Sequence, residues 1–248
     1  MKPLLLLLVT LGSLYFPVTA QSVQNQRTPM LGQQAPAFKG TSTTGMITFP
    51  DDYWTKWKII FSHPADFTAV CSSEIMELAN MQNDFEKLNT ALLVLSTDGI
   101  NSHIEWIHSL EAIEIDGKLI PKIRFPLISD PDLTISSLYG MIEENNNSIK
   151  RDIRAVYIID PENKMSAIFN YPSNVGRNMQ EIKRTLIALQ TSEKHNVLTP
   201  ADWKPGNDVL LPSPVSLDES RKLENKKGED IYMRQWYMWY KKLPEVSE

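Results

Sequence analysis

Three short apolar runs constrain this chain more than any other feature of its sequence. Lys58-Ile59-Ile60-Phe61, Ala91-Leu92-Leu93-Val94-Leu95 and Ala155-Val156-Tyr157-Ile158-Ile159 are continuous rather than alternating. A strand with one wet face alternates polar and apolar side chains, so a continuous run needs cover on both faces. The runs are too short for helices. Each ends at turn formers: Ser62-His63-Pro64, Ser96-Thr97-Asp98-Gly99 and Asp160-Pro161-Glu162-Asn163. Between them the period lengthens. Beyond Cys71, the residues Ile75, Leu78, Phe85 and Leu88 recur at helical spacing, and Ile104, Ile107 and His108 or Leu110 mark a second amphipathic helix. Asp130-Pro131-Asp132 has the residues of a helix start, with a short helix expected over Leu133 to Tyr139. Met165 to Phe169 forms a hairpin with the third run, and Met179 to Leu189 is a long helix. Strands alternating with helices, plus one hairpin, predict an α/β fold with a mixed sheet flanked by helices.

The two ends of the chain read differently. Met1-Lys2 gives a positive start, Leu4 to Phe16 is almost free of polar residues, and Val18-Thr19-Ala20 sets small residues before a cleavage point. This is the layout of a secretory signal over residues 1–20, too short to span a bilayer, with export of the mature chain expected. Residues 21–50 are polar and turn-rich, with Gly40 to Gly45 read as a turn. Beyond Thr191 four prolines fall between Pro200 and Pro214, followed by a charged stretch and an aromatic end, Tyr232 to Tyr240. Residues 21–191 are therefore expected to form the main domain, and 192–248 an arm or small C-terminal domain whose aromatic end packs on the body or on a partner subunit. Asn146-Asn147-Ser148 has the spacing of a glycosylation acceptor and is read as a chance match.

Of the 248 residues, one is cysteine, and the net charge is −5. The acidic balance leaves no basic footprint for nucleic acid. A single cysteine excludes an internal disulfide, a Cys-x-x-Cys pair and a multi-thiolate metal site. Thiol chemistry, if there is any, runs through Cys71. That residue falls in the first turn of a predicted helix, where unpaired N–H groups and the helix dipole favour a thiolate. Thr68 can offer a hydroxyl to the sulfur or to an incoming oxygen, and Pro64 can wall off the pocket. Position alone leaves a reactive thiol and a buried structural one equally open.

The spacing Pro64-x-x-x-Thr68-x-x-Cys71 resembles the signature of the peroxiredoxins, and Phe61-Ser62-His63-Pro64 with Asp66-Phe67-Thr68 is similar to their one-cysteine, peroxiredoxin-6-type subfamily. Arg154-Ala155-Val156-Tyr157-Ile158-Ile159-Asp160-Pro161 resembles the strand carrying that family's active-site arginine. Tyr171-Pro172 with Gly176-Arg177-Asn178 resembles its second arginine site, and Thr199 to Gly206 the start of the subfamily's C-terminal domain. The resemblance implies a thioredoxin-like fold plus a C-terminal extension domain. It implies a thiol-dependent peroxidase that reduces hydrogen peroxide and organic hydroperoxides through a sulfenic acid on Cys71. Arg154 would face sulfur and peroxide, Thr68 and the Cys71 N–H would hold peroxide oxygens, and Pro64 would shield the sulfenate. Glu74 would orient Arg154 and Arg177. The family also implies a homodimer and no cofactor.

Some residues and functions sit outside that pattern. His63 stands beside Pro64, either lining the pocket mouth or packing as a hydrogen-bonded strand end. His103, His108 and His195 have no partner pattern and read as structural, and no cluster has metal-ligand spacing. Asp51 to Lys58 contains neither serine nor glycine, so the lipase element found before the first core strand in some subfamily members is missing. With no second thiol, the reductant must be an external thiol or thiol protein. The rival functions are copper delivery, which needs two cysteines and a histidine, and a non-catalytic chaperone, binding protein or redox sensor on the same scaffold.

Overall fold

The structure, a computed structural model, describes residues 28–143 and 150–243. The signal-like segment and the Asn146-Asn147-Ser148 triplet lie outside the described residues. The elements, in order, are β1 (Phe38–Ser42), β2 (Gly45–Phe49), a 3-10 turn (Asp51–Tyr53), β3 (Trp57–Ser62), α1 (Ala69–Lys87), β4 (Thr90–Ser96), α2 (Ile100–Glu111), β5 (Glu114–Ile115), β6 (Lys118–Leu119), β7 (Leu127–Ser129), α3 (Thr134–Tyr139), β8 (Arg154–Ile159), β9 (Met165–Tyr171), α4 (Met179–His195), β10 (Val209–Leu210), α5 (Leu217–Asn225), β11 (Ile231–Gln235) and β12 (Met238–Lys241).

The three continuous apolar runs are three strands of a seven-stranded mixed sheet, ordered β2-β1-β7-β4-β3-β8-β9, and they lie side by side within it. β3 runs parallel to β4 and antiparallel to β8. Successive strand side chains point to opposite faces, and both faces are covered. Ile59, Phe61, Leu92, Val94, Val156 and Ile158 pack under α1, α2 and α4. Their neighbours Ile60, Leu93, Leu95, Tyr157 and Ile159 pack on the other face against Ile135 and Tyr139 of α3 and Phe38 and Phe49 of the first hairpin. Burying each of the larger side chains contributes roughly 1.5–3 kcal/mol. Lys58 is also fully buried, its charge satisfied where Nζ donates to the Asp160 carbonyl at 2.8 Å and to Asn163 Oδ1 at 2.6 Å. That contact fastens the β8–β9 turn to the start of β3.

Three expectations change. The stretch before residue 50 is not irregular: β1 and β2 form a hairpin, with Phe38, Gly40 and Ser42 turned inward and Lys39 and Thr41 outward. The glycine and serine at inward positions hid the alternation. Gly40 belongs to the strand rather than to the turn. A Cβ there would lie 2.9 Å from Ile128 Cγ2, so the close approach of β7 requires glycine. β7 itself is only three residues long, too short to show a period. In α2 the buried face is His103, Trp106 and Leu110, whereas Ile104 is exposed. A buried histidine with hydrogen-bond partners took the place that an isoleucine was expected to hold.

Beyond α4 the chain forms a small unit. Val197, Trp203 and Val209 pack on Ala188 of α4, and a second sheet runs β10-β12-β11. The aromatic end is β11, a tight turn and β12. Tyr232 stacks on Tyr240 with ring centroids 5.2 Å apart, and Trp239 is buried, but Trp236 and Tyr237 at the turn are exposed.

Candidate active site

Cys71 is the third residue of α1 and is fully buried. Thr68 is the N-cap in extended geometry, and the first helical bond runs from the Ser72 N–H to the Thr68 carbonyl at 2.9 Å. The N–H groups before Ser72 therefore have no acceptor within the helix and form a positive end beside the sulfur. β3 delivers this helix start: its last residue, Ser62, is followed by the loop His63 to Phe67, with Pro64 buried in it.

Glu74 lies one helical turn beyond Cys71, facing the same side. It is 3% exposed, and its carboxylate accepts four hydrogen bonds. Oε1 takes the Arg177 backbone N–H at 2.8 Å and Arg177 Nε at 3.0 Å. Oε2 takes Arg154 Nη1 and Arg177 Nη2, both at 2.8 Å. Arg154 Nη1 also reaches Cys71 Sγ at 3.2 Å, while Nε and Nη2 donate to the Ser173 carbonyl at 2.9 and 2.7 Å. Arg177 Nη1 donates to the carbonyls of Ser62 and Ala155, each at 2.8 Å, and the guanidinium sits over Phe61 with its carbon 5.2 Å from the ring centroid. Burial lowers the Arg177 pKa from its ordinary value, while the Glu74 charge and hydrogen bonds pull it back up.

Two guanidinium groups share one carboxylate, which leaves one positive charge unmatched. That charge lies against a sulfur, so the buried cluster is neutral only when the sulfur is a thiolate. A site with this balance stabilises a sulfur anion, and after attack it stabilises negative charge on a departing oxygen.

The profile of the AhpC/TSA family matches residues 31–168, and that of the C-terminal domain of 1-Cys peroxiredoxin matches residues 188–227. The chain belongs to the peroxiredoxins. This peroxiredoxin is 45% identical over 215 residues to a peroxiredoxin of Methanosarcina mazei, covering 86% of this chain and 98% of that one. Among solved structures it is similar to the yeast mitochondrial 1-Cys peroxiredoxin, at 35% identity and a TM-score of 0.76, covering 86% of this chain and 99% of that one. It is also similar to peroxiredoxin 6 of Arenicola marina, at 31% identity and a TM-score of 0.74, covering 88% and 99%. The thioredoxin-like fold with a C-terminal extension follows, and with it the activity: a peroxiredoxin is a thiol-dependent peroxidase, and this one has a single cysteine.

Cys71, Glu74, Arg154 and Arg177 of this peroxiredoxin meet in one buried cluster. Thr68 stands at the helix start, but its hydroxyl donates to the Ala65 carbonyl at 2.9 Å, so its proton is used within the loop rather than aimed at the sulfur. A lone pair remains for a peroxide O–H. His63 does not line an open mouth. It is 1% exposed, packed on Trp106 at 5.1 Å between centroids, and neither ring nitrogen has a hydrogen-bond partner. Burial pushes its pKa down to about 3; Asp66 opposes that shift, and His103 and Arg177 add to it.

Sequence reasoning missed three contributors. Ser173 holds Arg154 through a backbone carbonyl, which any residue type supplies, so no signal existed. Trp106 donates from Nε1 to Ser72 Oγ at 3.2 Å, next to Cys71. His103 read as a histidine without partners, but Nδ1 lies 2.8 Å from Asp66 Oδ2 and Nε2 lies 3.2 Å from the Ile128 carbonyl. The signal for these two was the three-residue step from His103 to Trp106 on the face of α2 opposite Ile104.

Proposed function

We propose that Cys71 is the peroxidatic nucleophile and that Arg154 is the group that polarises sulfur and peroxide together. The observation carrying this assignment is the 3.2 Å contact between Arg154 Nη1 and Cys71 Sγ inside a cluster with one unmatched positive charge. The thiolate attacks the terminal oxygen of a hydroperoxide. An S–O bond forms, the O–O bond breaks, sulfur loses two electrons, and the leaving alkoxide or hydroxide takes a proton. Arg154 and the free N–H groups of the helix start bind the oxygens as charge develops, and Thr68 accepts from the peroxide O–H. Pro64, which has no N–H, walls the loop side. Glu74 and Arg177 hold Arg154 in place.

The sulfenic acid is then reduced by an external thiol. One thiol displaces water to form a mixed disulfide, and a second releases Cys71 as a thiol and leaves with the first as a disulfide. The single cysteine supports this reading, as does the yeast relative, whose thiol resolution is described via glutathione/thioredoxin systems. Export after cleavage near Ala20 rests on the N-terminal apolar run. A main domain over 21–191 and a C-terminal domain over 192–248 follow the change in composition. A homodimer is supported by the exposed Trp236 and Tyr237 at the tip of the C-terminal hairpin.

Stopped-flow mixing of reduced protein with one equivalent of hydrogen peroxide tests the central claim. Wild type should consume the peroxide and yield a trappable sulfenic acid on Cys71, and folded Cys71→Ser should do neither. Equal consumption by the two proteins would refute it. Turnover should then appear only when a thiol is supplied.

A further inference from the structure

The loop that carries the peroxidatic cysteine is strained and needs an external hold. Phe67, in the loop just before α1, has φ +54°, a left-handed conformation that costs a bulky residue about 1 kcal/mol or more. Phe67 is itself 58% exposed, with its ring 6.5 Å from that of Trp106, so its own packing holds that conformation only in part. The neighbouring Asp66 is tied down instead. Its N–H donates to Asp98 Oδ2 at 2.8 Å, and its carboxylate Oδ2 lies 2.8 Å from Nδ1 of His103 on α2. His103 is fully buried, and its second nitrogen lies 3.2 Å from the Ile128 carbonyl on β7.

Both partners of His103 are acceptors. A carbonyl has no proton to give, so Nε2 must carry one, and a second proton must sit between Nδ1 and the Asp66 carboxylate. The pair therefore holds two protons and is electrically neutral, as an imidazolium against a carboxylate or as a neutral ring against a carboxylic acid. Neutrality suits its burial.

We infer that His103 is a positioning residue for the peroxidase reaction: it clamps the Asp66 carboxylate against α2 and β7 and so holds the strained loop that sets Cys71 beside Arg154. The inference rests on the peroxidase reading of Cys71 but assigns a role to a residue that acts through Asp66 rather than on the sulfur. Trp106, one turn along the same helix, adds a second tie through Ser72. If the clamp opens, the loop relaxes, the first turn of α1 shifts and the sulfur leaves its guanidinium. A displacement of about 1 Å at a reacting atom can cost up to about 100-fold in rate.

Three variants separate the clamp from bulk stability. In Asp66→Asn the side-chain amide oxygen can accept from Nδ1–H, or its NH2 group can donate to a bare Nδ1 while Nε2–H still donates to Ile128, so the tie survives without charge. In His103→Gln the amide can reach the Ile128 carbonyl but not Asp66. His103→Leu removes both bonds. Each variant is assayed at a temperature where its far-ultraviolet dichroism equals that of wild type. The readouts are the single-turnover rate of Cys71 oxidation by hydrogen peroxide and the rate of alkylation of reduced Cys71 by iodoacetamide. Asp66→Asn should stay within about threefold of wild type in both, the size of effect left when hydrogen bonding is retained. His103→Gln should lose about 10- to 100-fold in oxidation while its alkylation accelerates, because the sulfur becomes accessible as it leaves Arg154. If His103→Leu does not fold, the contrast between Asp66→Asn and His103→Gln still decides the matter. Equal oxidation rates in those two variants, whether both fast or both slow, would overturn the inference, as would a slower Asp66→Asn. A wild type that consumes no peroxide would sink the peroxidase reading instead, and the alkylation contrast would still report the clamp.

Discussion

The guanidinium of Arg154 lies 3.2 Å from the sulfur of Cys71, joining residues 83 positions apart in the chain. Arg154 is the first residue of β8 and Cys71 lies in the first turn of α1. The antiparallel pairing of β8 with β3 brings the start of β8 beside the end of β3, from which the loop to α1 departs. Sheet register therefore sets the distance between the anion and its counter-charge.

Replacing Arg154 by methionine keeps much of the buried stem and removes the charge. The second-order rate of Cys71 oxidation should fall about 100- to 1,000-fold, the range seen when one preorganised donor is lost. Stopped-flow tryptophan fluorescence with excess peroxide measures this rate. A loss below about fivefold would remove Arg154 from the reaction.

Glu74→Gln leaves two buried guanidinium groups with the Cys71 sulfur as their one remaining counter-charge in the cluster. Breaking a buried ion pair from one side costs about 3–5 kcal/mol. Urea unfolding monitored by dichroism should therefore show a loss of unfolding free energy of that size. If the loss is under about 1 kcal/mol, the two arginines do not depend on Glu74 for their burial.

His63 supplies a pH dependence. Its folded pKa is about 3 against an ordinary 6.5, so below pH 6.5 the unfolded chain binds a proton that the native state refuses. Its contribution to stability is complete above pH 6.5 and is lost progressively towards pH 3. By about pH 5 the loss is about 2 kcal/mol. His63→Phe should flatten that part of the stability–pH curve, as measured by denaturant titrations between about pH 4.5 and 7.5. An unchanged slope would contradict the neutral buried ring.

Asp152 works in the opposite sense. It is fully buried, and neither carboxylate oxygen has a partner at hydrogen-bonding geometry. Burial raises its pKa well above the ordinary value; Asp130 and Asp98 reinforce the shift, and the nearby Ser136 hydroxyl opposes it. The native state then holds a proton that the unfolded chain gives up, so stability declines as pH rises from the ordinary carboxylate range towards the raised value. Asp152→Asn should be near neutral at about pH 4 and more stable than wild type by about 1–3 kcal/mol at about pH 8, the scale of an unsatisfied buried polar group. Thermal melts at the two pH values make the comparison. A variant whose advantage over wild type does not grow between them rules the account out.

Much of this molecule was legible before any fold was known. Continuous apolar runs can be satisfied only between two covered faces, so the central strands and the layered architecture followed from the order of residues. The spacing from Pro64 to Cys71 put a thiol in the first turn of a helix, and the count of one cysteine required a borrowed reductant. Local periodicity, however, registers burial and not partnership. It could not separate the His103 face of α2 from the Ile104 face, because His103 is satisfied in the interior by Asp66 and the Ile128 carbonyl, and both are brought there by other elements. Nor could it assign the four bonds on Glu74, two of whose donors lie on a side chain 103 residues away. Charge balance in a buried site depends on which groups converge in space, and only the tertiary structure decided that.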